Sequence, residues 1–256
     1  MAVLGAVEQL WRFPVKSMQG ELIASGVLDY DGLVGDRCFA LRHGETGKLL
    51  TAKRYGELLE AAARTEVDGS VIITLPDASE HAASDPSVHE KLSTWLGIPC
   101  RLDRRRAGDA PEFEMSFNAE NPDEDIFTWA CPSGTFHDVA AAHLLSTASL
   151  RAMASHHPAG DWDVRRFRPT AVIGASSADG LVETEWVGSM LHLGDATLTV
   201  TMPTIRCPVP TRKQAGGIPR DVGVARALHD VADNNLGVYV SVERSGIVCI
   251  GDELSK

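Results

Sequence analysis

The chain has 256 residues, a formal charge of −11, 44% hydrophobic and 23% charged residues, enough for one large or two modest globular domains with a real core. No apolar run nears the roughly 18 residues of a membrane-spanning helix. The acidic balance excludes a general nucleic-acid surface but leaves room for a local anion pocket.

Residues 2–13, "AVLGAVEQLWRF", read as a first strand. With "PVKS" after them they lack the charged and long apolar segments of a signal peptide. "GELIASGVLDYDGLVGDRCFALRH" follows as short extended pieces broken by Gly26, Gly32 and Gly35, and "DRCFALR" alternates as a half-buried strand does. "GETGK" reads as a hairpin turn before "LLTA" resumes extension. "LLEAAARTEVDGSVIITLP" reads as two strands about Asp68-Gly69. "DPSVHEKLSTWLG" is a helix pattern, with Pro86 in the first turn, Val88, Leu92, Trp95 and Leu96 on one face, and Gly97 at the end. Over 101–125 charge rises and apolar periodicity disappears, which puts a boundary near residue 110, between domains 1–110 and 111–256.

"STASLRAMASHHP" predicts a second helix, capped by Ser146 or Thr147. "FRPTAVIGAS" is a strand, and "MLHLGDATLTVTM" a hairpin about Gly194-Asp195. "RDVGVARALHDVADNNLG" predicts a third helix, capped by Asp221, with Val222, Ala225, Leu228 and Ala232 on its inner face. "VYVSVERSGIVCIGDEL" reads as a closing hairpin. The expected class is mainly β with some helices (α+β), built from barrel or sandwich units with helical covers.

Five cysteines at wide spacings, with no C-x-x-C, argue against a disulfide framework or structural zinc and for a reducing cytoplasm. Cys38, Cys100 and Cys249 read as packed residues, and Cys131 in "WACPSG" as a more open loop cysteine. Cys207 differs. It stands in "TMPTIRCPVPTRKQAGG", after an alternating strand, before a proline, and near Arg206, Arg212 and Lys213. Cations favour the thiolate, the form that binds soft metals or attacks electrophiles. In "RFPVKSMQG", Lys16 and Ser17 can share an anion. "GDR" at 35–37 and "RRFRP" at 165–169 add arginines at strand ends, so distant segments could converge on a phosphate. His137, His143, His156 and His157 lack zinc-like spacing, and surface or capping roles are expected for them. G-x-G-x-x-G, G-x-x-x-x-G-K-[ST] and H-E-x-x-H do not occur.

The segments "FPVKSMQG", "GLVGDRCFAL", "LTAKR", "FHDVAAAHLLSTASL", "RFRPTAVI", "TIRCPVPT" and "NNLGVYVSVERSGIVCIGDEL", in this order over nearly the whole chain, resemble a MOSC-domain protein carrying the MOSC N-terminal β-barrel domain. The layout is that of the mitochondrial amidoxime-reducing component and its bacterial relatives. The resemblance implies a β-barrel-like N-terminal domain, then a MOSC β-barrel domain, and a molybdenum cofactor (molybdopterin). It implies Cys207 as metal ligand and catalytic residue, Asp138 as a second catalytic residue near the metal, and Lys16, Ser17, Arg37, Arg168 and Arg206 as cofactor-binding residues. This sequence departs from the family pattern at Thr170, Lys53-Arg54, Val139-Ala140, Pro208 and Pro210.

The implied activity is a molybdenum-dependent oxidoreductase that reduces N-hydroxylated or other N–O compounds. Its electrons would come from a separate ferredoxin-, flavin- or haem-type donor protein, its substrate being a small molecule. No iron–sulfur cluster or pyridoxal phosphate is expected on this chain, and neither nucleic acid nor a membrane as a partner. Two alternatives stand beside it: a non-redox carrier of molybdenum cofactor or sulfur, as in the sulfurase branch, and a hydrolase using Cys207 with a histidine.

Overall fold

The computed structural model describes residues 2–118, 120, 121, 123–175 and 178–256. Ser176, the last residue of the expected "FRPTAVIGAS" strand, lies outside them. Seven strands close a barrel: β1 (Val3–Arg12), β2 (Ala142–Ser146), β3 (Ala171–Gly174), β4 (Met190–Leu193), β5 (Ala196–Ile205), β6 (Asn235–Arg244) and β7 (Glu253–Ser255). The ring runs β1-β3-β2-β6-β5-β4-β7 and returns to β1, which pairs with both β3 and β7. Alternate positions, with a register shift between Val7 and Gln9 in β1, turn Val7, Leu10, Leu144, Ile173, Leu191, Leu198, Val238 and Val240 into one aliphatic core.

Three α-helices are described: α1 (Val88–Leu96), α2 (Thr147–His156) and α3 (Gly223–Ala232). Helix α2 connects the parallel pair β2 and β3, the crossover a parallel pair needs. Ser146 caps it, its Oγ accepting from Ser149 N at 3.0 Å. Asp221 Oδ1 accepts from Gly223 N at 2.8 Å at the start of α3. The inner face of α3 is Val224, Ala227, Leu228 and Ala232. Val222 and Ala225, expected there, are only half-buried, because the helix begins after Val222. No helix among the described residues is long and apolar enough to cross a membrane.

The N-terminal segments form smaller sheets. Phe39–His43 pairs with Cys100–Arg104, and Ala62–Thr65 with Val71–Thr74 about the expected Asp68-Gly69 turn. With α1 they enclose a second core that includes Leu41, Leu50, Leu58, Ile73, Leu92 and Leu102. Glu112–Met115 pairs with Phe127–Ala130. The stretch 101–125, expected to be irregular, thus carries strands at both ends of the turn around residue 110.

Three further expectations are corrected. The "LLE" at 58–60 belongs to a 3-10 turn, Gly56–Glu60. The last segment is not a hairpin: β6 stays in the barrel while Gly246–Cys249 pairs with Ser25–Asp29. Cys131 is buried, not open.

Candidate functional site

One cavity of about 320 Å³ is lined from both halves of the chain. It gathers Lys16, Ser17, Arg37, Asp138, Arg168, Arg206 and Cys207, every site residue expected from the sequence. Ser17, Arg37 and Arg168 hold left-handed φ angles of 72°, 46° and 52°. Such angles are uncommon and strained for residues with a side chain. Three of the seven non-glycine cases among the described residues therefore line this one cavity.

In the lining two guanidinium groups pack on the buried Phe13 ring, Arg168 at 4.2 Å and Arg37 at 5.4 Å from its centroid. Arg37 pairs with Asp36, whose other oxygen accepts from Phe13 N at 2.7 Å. Arg168 Nη1 donates to Met18 O at 2.7 Å. Its Nη2 is buried and has no acceptor among the described residues. Burial first, then the charge of Arg37, pulls the Arg168 pKa down to about 9.

In the same lining Asp138 Oδ1 accepts from Lys16 Nζ and Oδ2 from Lys53 Nζ, each at 2.5 Å. Both ammonium groups lie over Phe113, 4.8 and 4.5 Å from its centroid, and Lys16 also donates to Phe136 O at 2.6 Å. The lysines are 4% and 5% exposed, whereas Asp138 keeps 37% of its side chain open, deep in the concavity it lines. Burial alone would raise the Asp138 pKa; the two ammonium groups overcome it and hold the carboxyl far below the usual range. Asp138 is thus a permanent carboxylate at neutral pH. Burial lowers Lys16, while for Lys53 the charges of Asp138 and Cys207 outweigh burial and raise it.

Cys207 opens the loop after β5, partly exposed and packed against the N-terminal cores. The cations beside it in sequence turn to other partners. Arg206 Nε donates to Leu236 O at 3.0 Å, Nη1 to Phe167 O at 3.1 Å, and Nη2 to His143 Nε2 at 2.8 Å. It is a strut between the end of β5 and the start of β6. Arg212 Nη2 reaches Lys53 O at 2.6 Å, and Lys213 pairs with Glu60 at 2.5 Å. Buried Arg166 pins the loop from behind, donating to Pro210 O and Pro219 O at 2.9 Å each. Arg206 apart, the cations lining the cavity therefore come from segments distant in sequence from Cys207.

Lys53 is the site residue that sequence reasoning missed. Its signal was a cation directly after the mainly apolar stretch 49–52, at the Lys53-Arg54 departure from the family pattern. His137 and His143, expected at the surface or as caps, are buried. His137 Nε2 meets Asp31 O at 2.9 Å, and burial foremost lowers its pKa to about 4. His143 is held neutral by burial and then by Arg206. Thr170 is buried, its Oγ1 accepting from His143 N at 3.2 Å. All five cysteines are free.

The family profile described as MOSC N-terminal beta barrel domain matches residues 4–129, and that described as MOSC domain matches residues 132–255. The comparison with curated proteins finds no match. Among solved structures, the YuaD protein from Bacillus subtilis is similar at 12% identity over 98% of this chain and 93% of that chain, with a TM-score of 0.49. YiiM from Geobacillus stearothermophilus is similar at 14% identity over 59% of this chain and 71% of that one, with a TM-score of 0.30.

Proposed function

The chain belongs to the MOSC-domain family, with the MOSC N-terminal β-barrel domain ahead of the MOSC domain, and we propose that it is a molybdenum-cofactor-dependent oxidoreductase reducing N-hydroxylated or other N–O compounds. The observation that carries the reading is the unanswered Arg168 Nη2 in a cavity whose lining holds six lysines and arginines against one carboxylate. Of the six, Asp36 and Asp161 neutralise Arg37 and Arg166 from outside the lining. The remaining excess calls for an anionic ligand, and a guanidinium matches a phosphate.

The residues fit the cofactor. Arg168, Arg37 and Ser17 would hold its anionic and pterin parts, and Cys207 would give the metal a soft thiolate. Among the described residues no three His, Cys, Asp or Glu side chains stand together as a metal cage, so a metal here needs ligands from outside the polypeptide, as a dithiolene provides. When bound, the cofactor supplies the two-electron chemistry. Arg206 fixes the loop that carries Cys207, and Asp138 presents a fixed negative charge beside the reacting centre. Electrons come from a separate carrier protein of ferredoxin, flavin or haem type.

A second reading, a non-redox carrier of cofactor or sulfur, is favoured by the apolar mouth of the cavity. Phe117, Trp129, Val139, Met202 and Ile205 line it and are each 37–47% exposed, a rim that suits transfer to another protein. For a hydrolase, Cys207 would need a histidine base, and no hydrogen bond joins them among the described residues. Protein purified from a molybdenum-replete host should carry about one molybdenum per chain and reduce an amidoxime with an artificial reductant. Bound molybdenum without turnover would favour the carrier; absence of molybdenum would overturn both readings.

A further inference from the structure

On β6, Val238, Val240 and Val242 turn into the barrel core, so Tyr239 between them turns outward into the cavity. Its ring stands edge-on to His143, with centroids 6.0 Å apart at 62°, and His143 is locked by Arg206. Its carbonyl accepts from Thr201 Oγ1 at 3.0 Å. The ring is therefore held against a fixed neighbour, and the backbone that carries it is tied to β5. The phenolic oxygen makes no hydrogen bond among the described residues, yet it is not one of the sealed-off buried polar atoms. It opens to the cavity. Arg206, Asp138, Cys207 and Lys53 all lie near enough for their charges to act on it. Of the donors at this point, Lys53 is committed to Asp138 and Arg206 to carbonyls and His143. Tyr239 is the neutral donor left uncommitted.

We infer that Tyr239 binds the oxygen of the substrate, its hydroxyl donating a hydrogen bond to the N-bound oxygen that leaves as water. This rests on the reductase reading. The reaction is R₂N–OH + 2 e⁻ + 2 H⁺ → R₂N–H + H₂O. The N–O bond breaks, nitrogen gains the electron pair and one proton, and the departing oxygen takes the other proton. The electrons come from the separate carrier protein and the protons from water. Tyr239 keeps its own proton, which burial favours by raising its pKa. A neutral donor suits a neutral N–O group, and it selects the oxygenated compound over its deoxygenated product.

Tyr239→Phe removes the one oxygen atom. Dissociation constants for benzamidoxime and benzamidine are measured by calorimetry on cofactor-loaded protein without reductant, in wild type and variant. Comparing the ratio of the two constants between proteins cancels the difference in ligand charge. The ratio should move about tenfold against benzamidoxime in the variant, with molybdenum content unchanged, and turnover with reductant should fall by at least a similar factor. An unchanged ratio overturns the role of Tyr239, whether or not the wild type turns over. A shifted ratio in a protein that never turns over leaves Tyr239 as an N–O oxygen site and removes the reductase reading instead.

Discussion

Arg168→Met separates what the cavity costs the empty protein from what it gains on binding. Without cofactor, the guanidinium donates to Met18 O, packs on Phe13 at 4.2 Å and leaves Nη2 unanswered. A hydrogen bond from a charged group contributes about 1.5–3 kcal/mol, and the cation–π contact about 0.5–2 kcal/mol. Against these stand the several kcal/mol needed to bury a cation without a carboxylate and about 1–3 kcal/mol for an unsatisfied donor. Methionine inherits the same left-handed φ, so backbone strain is unchanged. The terms nearly cancel, and urea unfolding of the cofactor-free variant should lie within about 1 kcal/mol of wild type. Cofactor binding should weaken by about 1.5–3 kcal/mol, roughly 10- to 150-fold. The assay pairs urea titration with molybdenum content per chain under limiting supply. A variant that keeps full molybdenum, or one that loses several kcal/mol when empty, would refute the reasoning.

Cys207→Ser should fold normally and retain part of its cofactor, yet lose nearly all reductase activity, because serine is a harder ligand; X-ray absorption at the molybdenum edge should count one sulfur fewer, and an unchanged count would remove Cys207 as the ligand. NADH alone should not drive the purified chain, whereas dithionite-reduced viologen or an added reductase pair should; NADH-driven turnover of homogeneous protein would sink the need for a carrier. His137 is held at a pKa of about 4 in the fold against about 6.5 unfolded. Its neutral form stabilises the fold above pH 6.5, and that stability is lost as pH falls toward 4. Gln in its place keeps a donor for Asp31 O, so His137→Gln should flatten the loss of stability around pH 5 by about 1.2 kcal/mol per pH unit. Parallel urea midpoints for the two proteins between pH 7 and pH 4.5 would contradict this.

Sequence reading succeeded where a signal is local and failed where a partner is remote. Ser146, the Gly194-Asp195 turn and the Asp68-Gly69 turn each carry their own chemistry, and all stand where expected. Cys100–Arg104 was hidden because its outward positions are charged. Only Cys100 and Leu102 face inward, too short an alternation to stand out from the arginines around it. The closing hairpin failed because Gly246–Cys249 pairs with Ser25–Asp29 rather than with its sequence neighbour β6. At the site, motif residues identified the cavity, but the direction of each charge was not legible. Arg206 and Lys213 look like partners of Cys207 in one dimension and spend their donors elsewhere, while Lys53 arrives from another segment.

Strand β1 is the keystone of the ring, and its partner β7 lies at the opposite end of the chain, with Val3 opposite Ser255. During synthesis at about 5–20 residues per second, β1 waits on the order of 10–50 seconds before that partner exists. Over this interval the ring stays open, and the edge of β1 is a ready template for pairing with another chain. A nascent chain of this fold therefore needs shielding along Val3–Arg12 until Glu253–Ser255 has emerged, and replacing the exposed charge of Glu8 by an apolar residue should lower soluble yield before it alters the finished barrel.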